Sequence, residues 1–194
     1  MKNITLSLAA LLALSALSPV LAQDGGKMMG GKKEKTVMVG GAAMYPSRNI
    51  VQNAMSSKDH TTLVAAVKAA GLVETLQGPG PFTVFAPTNA AFEKLPKGTV
   101  EKLLMPSMKD TLVKVLTYHV VPGRMSAMNL MKKVKMGHGK AMLTTVAGGM
   151  LTVTQKGKKL MLTDEKGGMA WITISNVNQS NGIIHVIDTV LMPG

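Results

Sequence analysis

Apolar residues recur at helical spacing in "KDHTTLVAAVKAAGLVETLQG", where Leu63, Ala66, Val67 and Ala70 fall on one face. The pattern predicts a helix capped by Asp59 or Thr61, ended or tightly packed at Gly71, with Leu72, Val73 and Leu76 continuing apolar. Before it, "SRNIVQNAM" predicts a shorter helix capped by Ser47. After the "GPGP" turn, "FTVFAP" reads as a buried strand, and Thr88 caps a helix through Phe92. "KGTVEKLLM" predicts another short helix, closed by Pro106. Ser107 to Asp110 resembles a capping box, opening a helix that buries Leu112, Val115 and Leu116. From Val120 the period shortens towards two. "MLTVTQ" and "KLMLTD" flank Gly157 as a hairpin, and "AWITIS" and "GIIHVIDTVLM" are further strands. Helices gather in the first half and strands in the second, which argues for an α+β fold over a doubly wound parallel sheet.

The ends of this pattern bound the domain. Residues 1–22 read as a signal peptide, with Lys2 ahead of the apolar "ITLSLAALLALSAL" and cleavage expected after Ala22. Residues 23–45 show neither period and read as a flexible basic tail rich in Gly, Lys and Met. The folded domain is expected over 46–194. No later stretch is apolar enough to span a bilayer, so the expected location is secreted, periplasmic or extracellular.

Composition narrows the chemistry. Hydrophobic residues make up 46% and aromatics only 3%, so the core is aliphatic and methionine-filled. With no cysteine, disulfides, thiolate metal sites and thiol nucleophiles are excluded. The chain has 22 basic and 10 acidic residues, and loss of the leader removes only Lys2. Such an excess favours anionic partners. The cations are almost all lysine, with Arg48 and Arg124 the exceptions, and stacking aromatics are scarce, which argues against nucleic acid.

Catalytic motifs are missing: no Gly-x-Ser-x-Gly, no His-Glu-x-x-His, no Walker loop and no dinucleotide fingerprint. "GHGK" at 137–140 lacks the length and the Ser or Thr of a phosphate loop and reads as a surface turn. Met125, Met128 and Met131 stand at three-residue spacing. Soft thioethers suit Cu(I), which gives an alternative reading as a periplasmic copper or small-ligand carrier, while nearby lysines and core spacing favour plain packing. Asn178-Gln179-Ser180 is a glycosylation sequon of use only in a eukaryotic secretory pathway.

Three ordered blocks carry a family resemblance. "GPFTVFAPTNAAFEKLP" (Gly80–Pro96), "LTYHVVPG" (Leu116–Gly123) and "SNGIIHVIDTVLMP" (Ser180–Pro193) resemble the conserved blocks of the fasciclin domain, covering about 48–193. The resemblance implies a twisted β-wedge or sandwich with helices packed along one side. It implies a non-enzymatic adhesion module with no cofactor; taken with the signal peptide and the basic charge, the expected partner is a cell-surface protein or an anionic polysaccharide. Thr83, Phe85, Pro87, Thr88, Phe92, Asn181, Gly182 and His185 become its structural signature. By the same resemblance Tyr118 and His119, preceded by Lys109, Asp110 and Leu112, match one proposed adhesion motif, and a packing role for the Tyr–His pair stands beside it. A second adhesion segment of relatives falls on "ISNVN", where Asn176 replaces their Asp and no Glu occurs. Within the last block, Asn181-Gly182 is expected to turn with glycine at positive φ. Alternation then puts His185 and Asp188 on opposite faces of a strand, so they form no acid–base pair.

Overall fold

Two strands far apart in the chain lie side by side and parallel at the middle of the molecule: β3 (Phe82–Pro87) and β9 (Gly182–Ile187). Around them a seven-stranded sheet runs in the order β4-β3-β9-β8-β7-β6-β5, with all other pairings antiparallel. The remaining strands are β4 (Val120–Pro122), β5 (Lys140–Thr144), β6 (Met150–Lys156), β7 (Lys159–Thr163) and β8 (Met169–Gln179). This is a computed structural model, and it describes residues 34–194. The expected signal peptide and the first part of the expected tail lie outside the described residues.

Helices α1 (Ile50–Ser56), α2 (Thr61–Ala70), α3 (Val73–Gln77), α4 (Asn89–Glu93), α5 (Thr99–Leu103) and α6 (Lys109–Tyr118) precede most of the sheet in sequence. Leu63, Val67, Leu112 and Leu116 from α2 and α6 pack with Val84, Ile184 and Val186 of the central strands in one apolar core. A second core forms where α7 (Ala127–Met136) sets Ala127, Leu130 and Val134 against Leu143, Leu151, Leu162 and Ile172. Strand alternation feeds both cores: Val84 and Val186 enter the first, Phe85 and Ile187 the second. This is the α+β arrangement expected from the sequence.

Several local expectations need correction. The folded body begins before Pro46: β1 (Val37–Val39) and β2 (Ala42–Met44) form a hairpin, with Val39 and Met44 buried in the first core. Its three-residue strands are too short to show a period. The turn rests on Gly40 and Gly41, both at positive φ. Helix α1 is capped by Asn49, not Ser47. The Asn49 side chain accepts from the Gln52 N–H at 2.9 Å, and the Asn49 N–H donates to the Gln52 side chain at 3.0 Å. Neither Asp59 nor Thr61 caps α2, which grows out of a 3-10 turn at Lys58–His60. The Ser107–Asp110 box does not form either, because Pro106–Met108 is also a 3-10 turn. We expect Asn49→Ala to cost about 1 kcal/mol in urea unfolding and Ser47→Ala under about 0.5 kcal/mol. Equal effects would overturn the cap assignment.

Candidate functional site

The residues that the family resemblance singles out are mostly interior. Tyr118 is fully buried and His119 is 3% exposed, at the junction of α6 and β4. The Tyr118 hydroxyl donates to the Met150 carbonyl at 2.7 Å and accepts from the Glu165 N–H at 3.2 Å, bridging helix to hairpin. Burial raises its pKa. The His119 N–H bonds Leu116, and its ring Nδ1 lies 2.8 Å from the carbonyl of Val115, while Nε2 accepts the Leu191 N–H at 3.0 Å. This network fixes a neutral ring with the proton on Nδ1. Burial drives its pKa down to about 4, against the opposing pull of the Val115 carbonyl and Asp164. Leu112 is buried too, whereas Lys109 and Asp110 are exposed. The five therefore do not form one contact surface.

The last block is equally structural. His185 is fully buried and stacks on Phe85 with ring centroids 5.8 Å apart. Its Nε2 lies 2.8 Å from the Met125 carbonyl, and Nδ1 accepts the Asn176 N–H at 3.4 Å. Burial lowers its pKa as well. Asp188 works elsewhere, accepting the Trp171 N–H at 2.9 Å and pairing with Lys94 at 3.8 Å. The Asn181 amide donates to the carbonyls of Leu76 and Gly78, and its oxygen accepts the Ile50 N–H. Gly182 corrects the expected positive φ: it is glycine because a Cβ there would run into the Phe82 carbonyl. Thr83 ties β3 to Gly123 and Met125, and Thr88 caps α4 with Phe92 buried behind it. Pro87 is buried at the end of β3. Asn176, in the segment that aligns with the second adhesion site, takes φ 61° in an irregular stretch of β8 and accepts the Ala127 N–H at 2.8 Å, which docks the start of α7.

The methionines do not gather. Met128 is 76% exposed, while Met125 and Met131 pack against the second core. Among the described residues no group of three or more His, Asp or Glu could hold a metal ion. The serine–histidine bond between Ser57 Oγ and His60 Nδ1, 2.9 Å, is buried within a turn.

What reaches solvent is lysine. Between Asp110 and Asp164 the chain contains no carboxylate. The fold gathers this stretch into α7 and the β6–β7 hairpin, which share the second core. Ser126 caps α7, accepting the Asn129 N–H, so Leu130 and Val134 turn inward and Lys132, Lys133 and Lys135 outward. Lys133 and Lys135 sit in the last turn, where the helix dipole favours cations. Lys140, Lys156, Lys158 and Lys159 extend the exposed set, and the ion pair recorded among the described residues, Lys94–Asp188, involves none of them. A hollow lined by Met128, Met131, Lys132 and Lys135 on one side and Gln155 and Gly157 on the other sets two α7 lysines beside the hairpin, and Lys158 and Lys159 stand near the start of α7, whereas Lys140 and Lys156 alternate onto the side of the sheet away from the second core. The absence of acid over this stretch is visible in the sequence. That helix and hairpin meet is not.

Comparison with known proteins agrees with this geometry. The Fasciclin domain family model matches residues 58–193. The chain belongs to the fasciclin family. This fasciclin domain is 48% identical over 160 residues to protein sll1483 of Synechocystis, covering 82% of each chain. It is 38% identical over 145 residues to the immunogenic protein MPB70 of Mycobacterium bovis, covering 72% of this chain and 66% of that one. Among solved structures, the FAS1 domain pair of the insect cell adhesion molecule fasciclin I matches with a TM-score of 0.68 at 19% identity. The match covers 76% of this chain and 52% of that one, and it shows the shared fold. Among the described residues of this fasciclin domain, no helix is long and apolar enough to cross a membrane.

Proposed function

We propose that this fasciclin domain is a secreted, non-enzymatic binding module for surface contact, and that its α7–hairpin face holds an anionic polysaccharide of a cell envelope or matrix. The observation that carries the reading is the lysine face itself: Lys132 and Lys135 of α7 and Lys158 and Lys159 at the β6–β7 turn border the hollows between helix and hairpin, in a stretch without one carboxylate. Lysine ammonium groups are hydrated point charges, suited to repeated anions along a flexible polymer and not to bidentate reading of single groups. The family supports a role in adhesion, as does the insect adhesion molecule that shares the fold. The burial of Tyr118 and His119 supports ligand contact on the charged exterior.

On a column of immobilised acidic polysaccharide, the protein is expected to bind at about 50 mM salt and to weaken about tenfold by about 500 mM, because exposed charges are screened. Lys132, Lys133 and Lys135 changed together to Gln lower retention at low salt while the domain stays folded, the two charges lost from the last turn of α7 costing only about 1–2 kcal/mol. Salt-independent retention, equal retention on a neutral polysaccharide, or no retention at low salt would overturn the reading.

A further inference from the structure

At one edge of the lysine face the sheet splits. Strands β7 and β8 pair at Met161–Trp171, Leu162–Ala170 and Thr163–Met169, and no further. The β7 strand begins at Lys159, just after the hairpin turn, while β8 runs on to Gln179 with only β9 beside it. The splay leaves a hollow of about 560 Å³ between the hairpin tip, β8 and the start of α7. That size falls within the range of about 300–1,000 Å³ typical of small-ligand sites.

The lining is chemically mixed. Ala127, Leu160 and Ile172 from the second core give it an apolar floor. Lys158 and Lys159 stand on one rim, both exposed. Trp171, Thr173 and Ser175, alternate residues of β8, stand on the other. Trp171 is half-buried and is the one tryptophan in the chain. The one carboxylate at the hollow, Asp188, is already engaged by the Trp171 N–H, the Thr189 hydroxyl and Lys94. The two rim lysines therefore keep their charge for a ligand.

An indole wall, two ammonium groups and two hydroxyls around one sugar-sized space suit a pyranose ring bearing an anionic group. The indole supplies flat apolar surface for the ring's C–H face. The lysines supply charge for its carboxylate or sulfate; Ser175 supplies a hydroxyl that can donate or accept, and Thr173, whose hydroxyl donates to the Val186 carbonyl at 3.2 Å, supplies an acceptor for a sugar hydroxyl. We infer that the notch between the β6–β7 turn and Trp171 is a subsite for one acidic monosaccharide unit of the bound polymer. This rests on the polysaccharide reading above and adds to it a place and a unit of recognition. The general lysine face attracts the polymer, and the notch selects a ring.

The single tryptophan makes the test direct. Emission of the full chain is followed while a galacturonate oligomer, a sulfated galactose oligomer, a neutral galactose oligomer or polyphosphate is added, with affinities confirmed by calorimetry. The expected result is a saturable change in Trp171 emission with at least one acidic sugar, and binding at least tenfold weaker for the neutral sugar and for polyphosphate. The carboxylated and sulfated arms identify which anion fits. The Lys158→Gln, Lys159→Gln double variant, altered only at the exposed turn and the exposed first residue of β7, is expected to lose about tenfold in affinity for the acidic sugar. Trp171→Ala is expected to lose as much by calorimetry, with the melting temperature of each variant as the control for folding. An acidic sugar that binds with no emission change and no effect of these substitutions overturns the notch but leaves the polysaccharide reading in place. Failure to bind any acidic polysaccharide overturns both. Polyphosphate binding the notch as tightly as the acidic sugars overturns recognition of the ring.

Discussion

Replacing His119 with leucine is expected to lower the unfolding free energy by about 3 kcal/mol at pH 7 and to flatten the acid side of the stability curve. The substitution strips two buried groups of their partner at once. The Val115 carbonyl belongs to the last turn of α6, where the His119 N–H bonds Leu116, so the ring is what satisfies it. The Leu191 N–H, on the chain leaving β9, has only Nε2. The pH effect follows from the same geometry, because a protonated ring would point an N–H at the Leu191 N–H. The unfolded ring takes up a proton near pH 6.5, while the folded ring resists down to about 4. The unfolded state thus binds more protons between those values. Stability is full above pH 6.5 and is lost as the pH falls towards 4, on the order of 3 kcal/mol from this residue. His60 and His185, also lowered by burial, act in the same direction. Glu165 is held below the usual carboxylate range by the Met150 and Gly194 N–H groups, so its contribution is lost only below about pH 4.5. Urea unfolding from pH 7.5 to 4.5 checks the prediction. Parallel curves for wild type and His119→Leu would sink it.

Gly182→Ala is expected to cost about 3 kcal/mol and to lower the melting temperature by roughly 10 °C. Alanine normally suits a strand better than glycine, by about 0.5–1 kcal/mol. The expected sign is therefore opposite to the ordinary one. The added methyl would meet the Phe82 carbonyl and lie 2.9 Å from the Ile50 Cδ1, with strand backbone that has nowhere to go. Phe82–Gly182 is the first rung of the parallel pair, so the displacement opens the sheet at its centre. A melting temperature equal to or above wild type would show that the strands do not approach as described.

What the sequence disclosed and what it hid divide along physical lines. The α2 face of Leu63, Ala66, Val67 and Ala70, the β3 strand, the Thr88 cap and the hairpin about Gly157 were legible because each rests on neighbours in the chain. The opposite orientations of His185 and Asp188 followed from strand alternation alone. The hairpin at 37–44 was hidden by its shortness. The reason for Gly182 was hidden because the atom that excludes a side chain belongs to residue 82. The burial of Tyr118 and His119 was left open because a polar side chain at a helix end can turn either way until its partners, Met150 and Leu191, are known. The same limit applied to the notch at Trp171. Its lysines and indole lie on different strands, and only the early end of the β7–β8 pairing separates them enough to leave room for a ligand.

The parallel pair at the centre has a consequence for how the molecule comes to exist. Each residue of β3 meets a partner 100 positions further along. A polypeptide emerging from its N-terminus can build α1 to α6 early, but β3 then has β4 beside it and an open edge on the other side. Neither core can close before the strand at 182–187 arrives, since Ile184 and Val186 fill one and Ile187 the other. Closure of long loops slows folding. The native structure therefore locks only when residues 182–187 have taken their place beside β3.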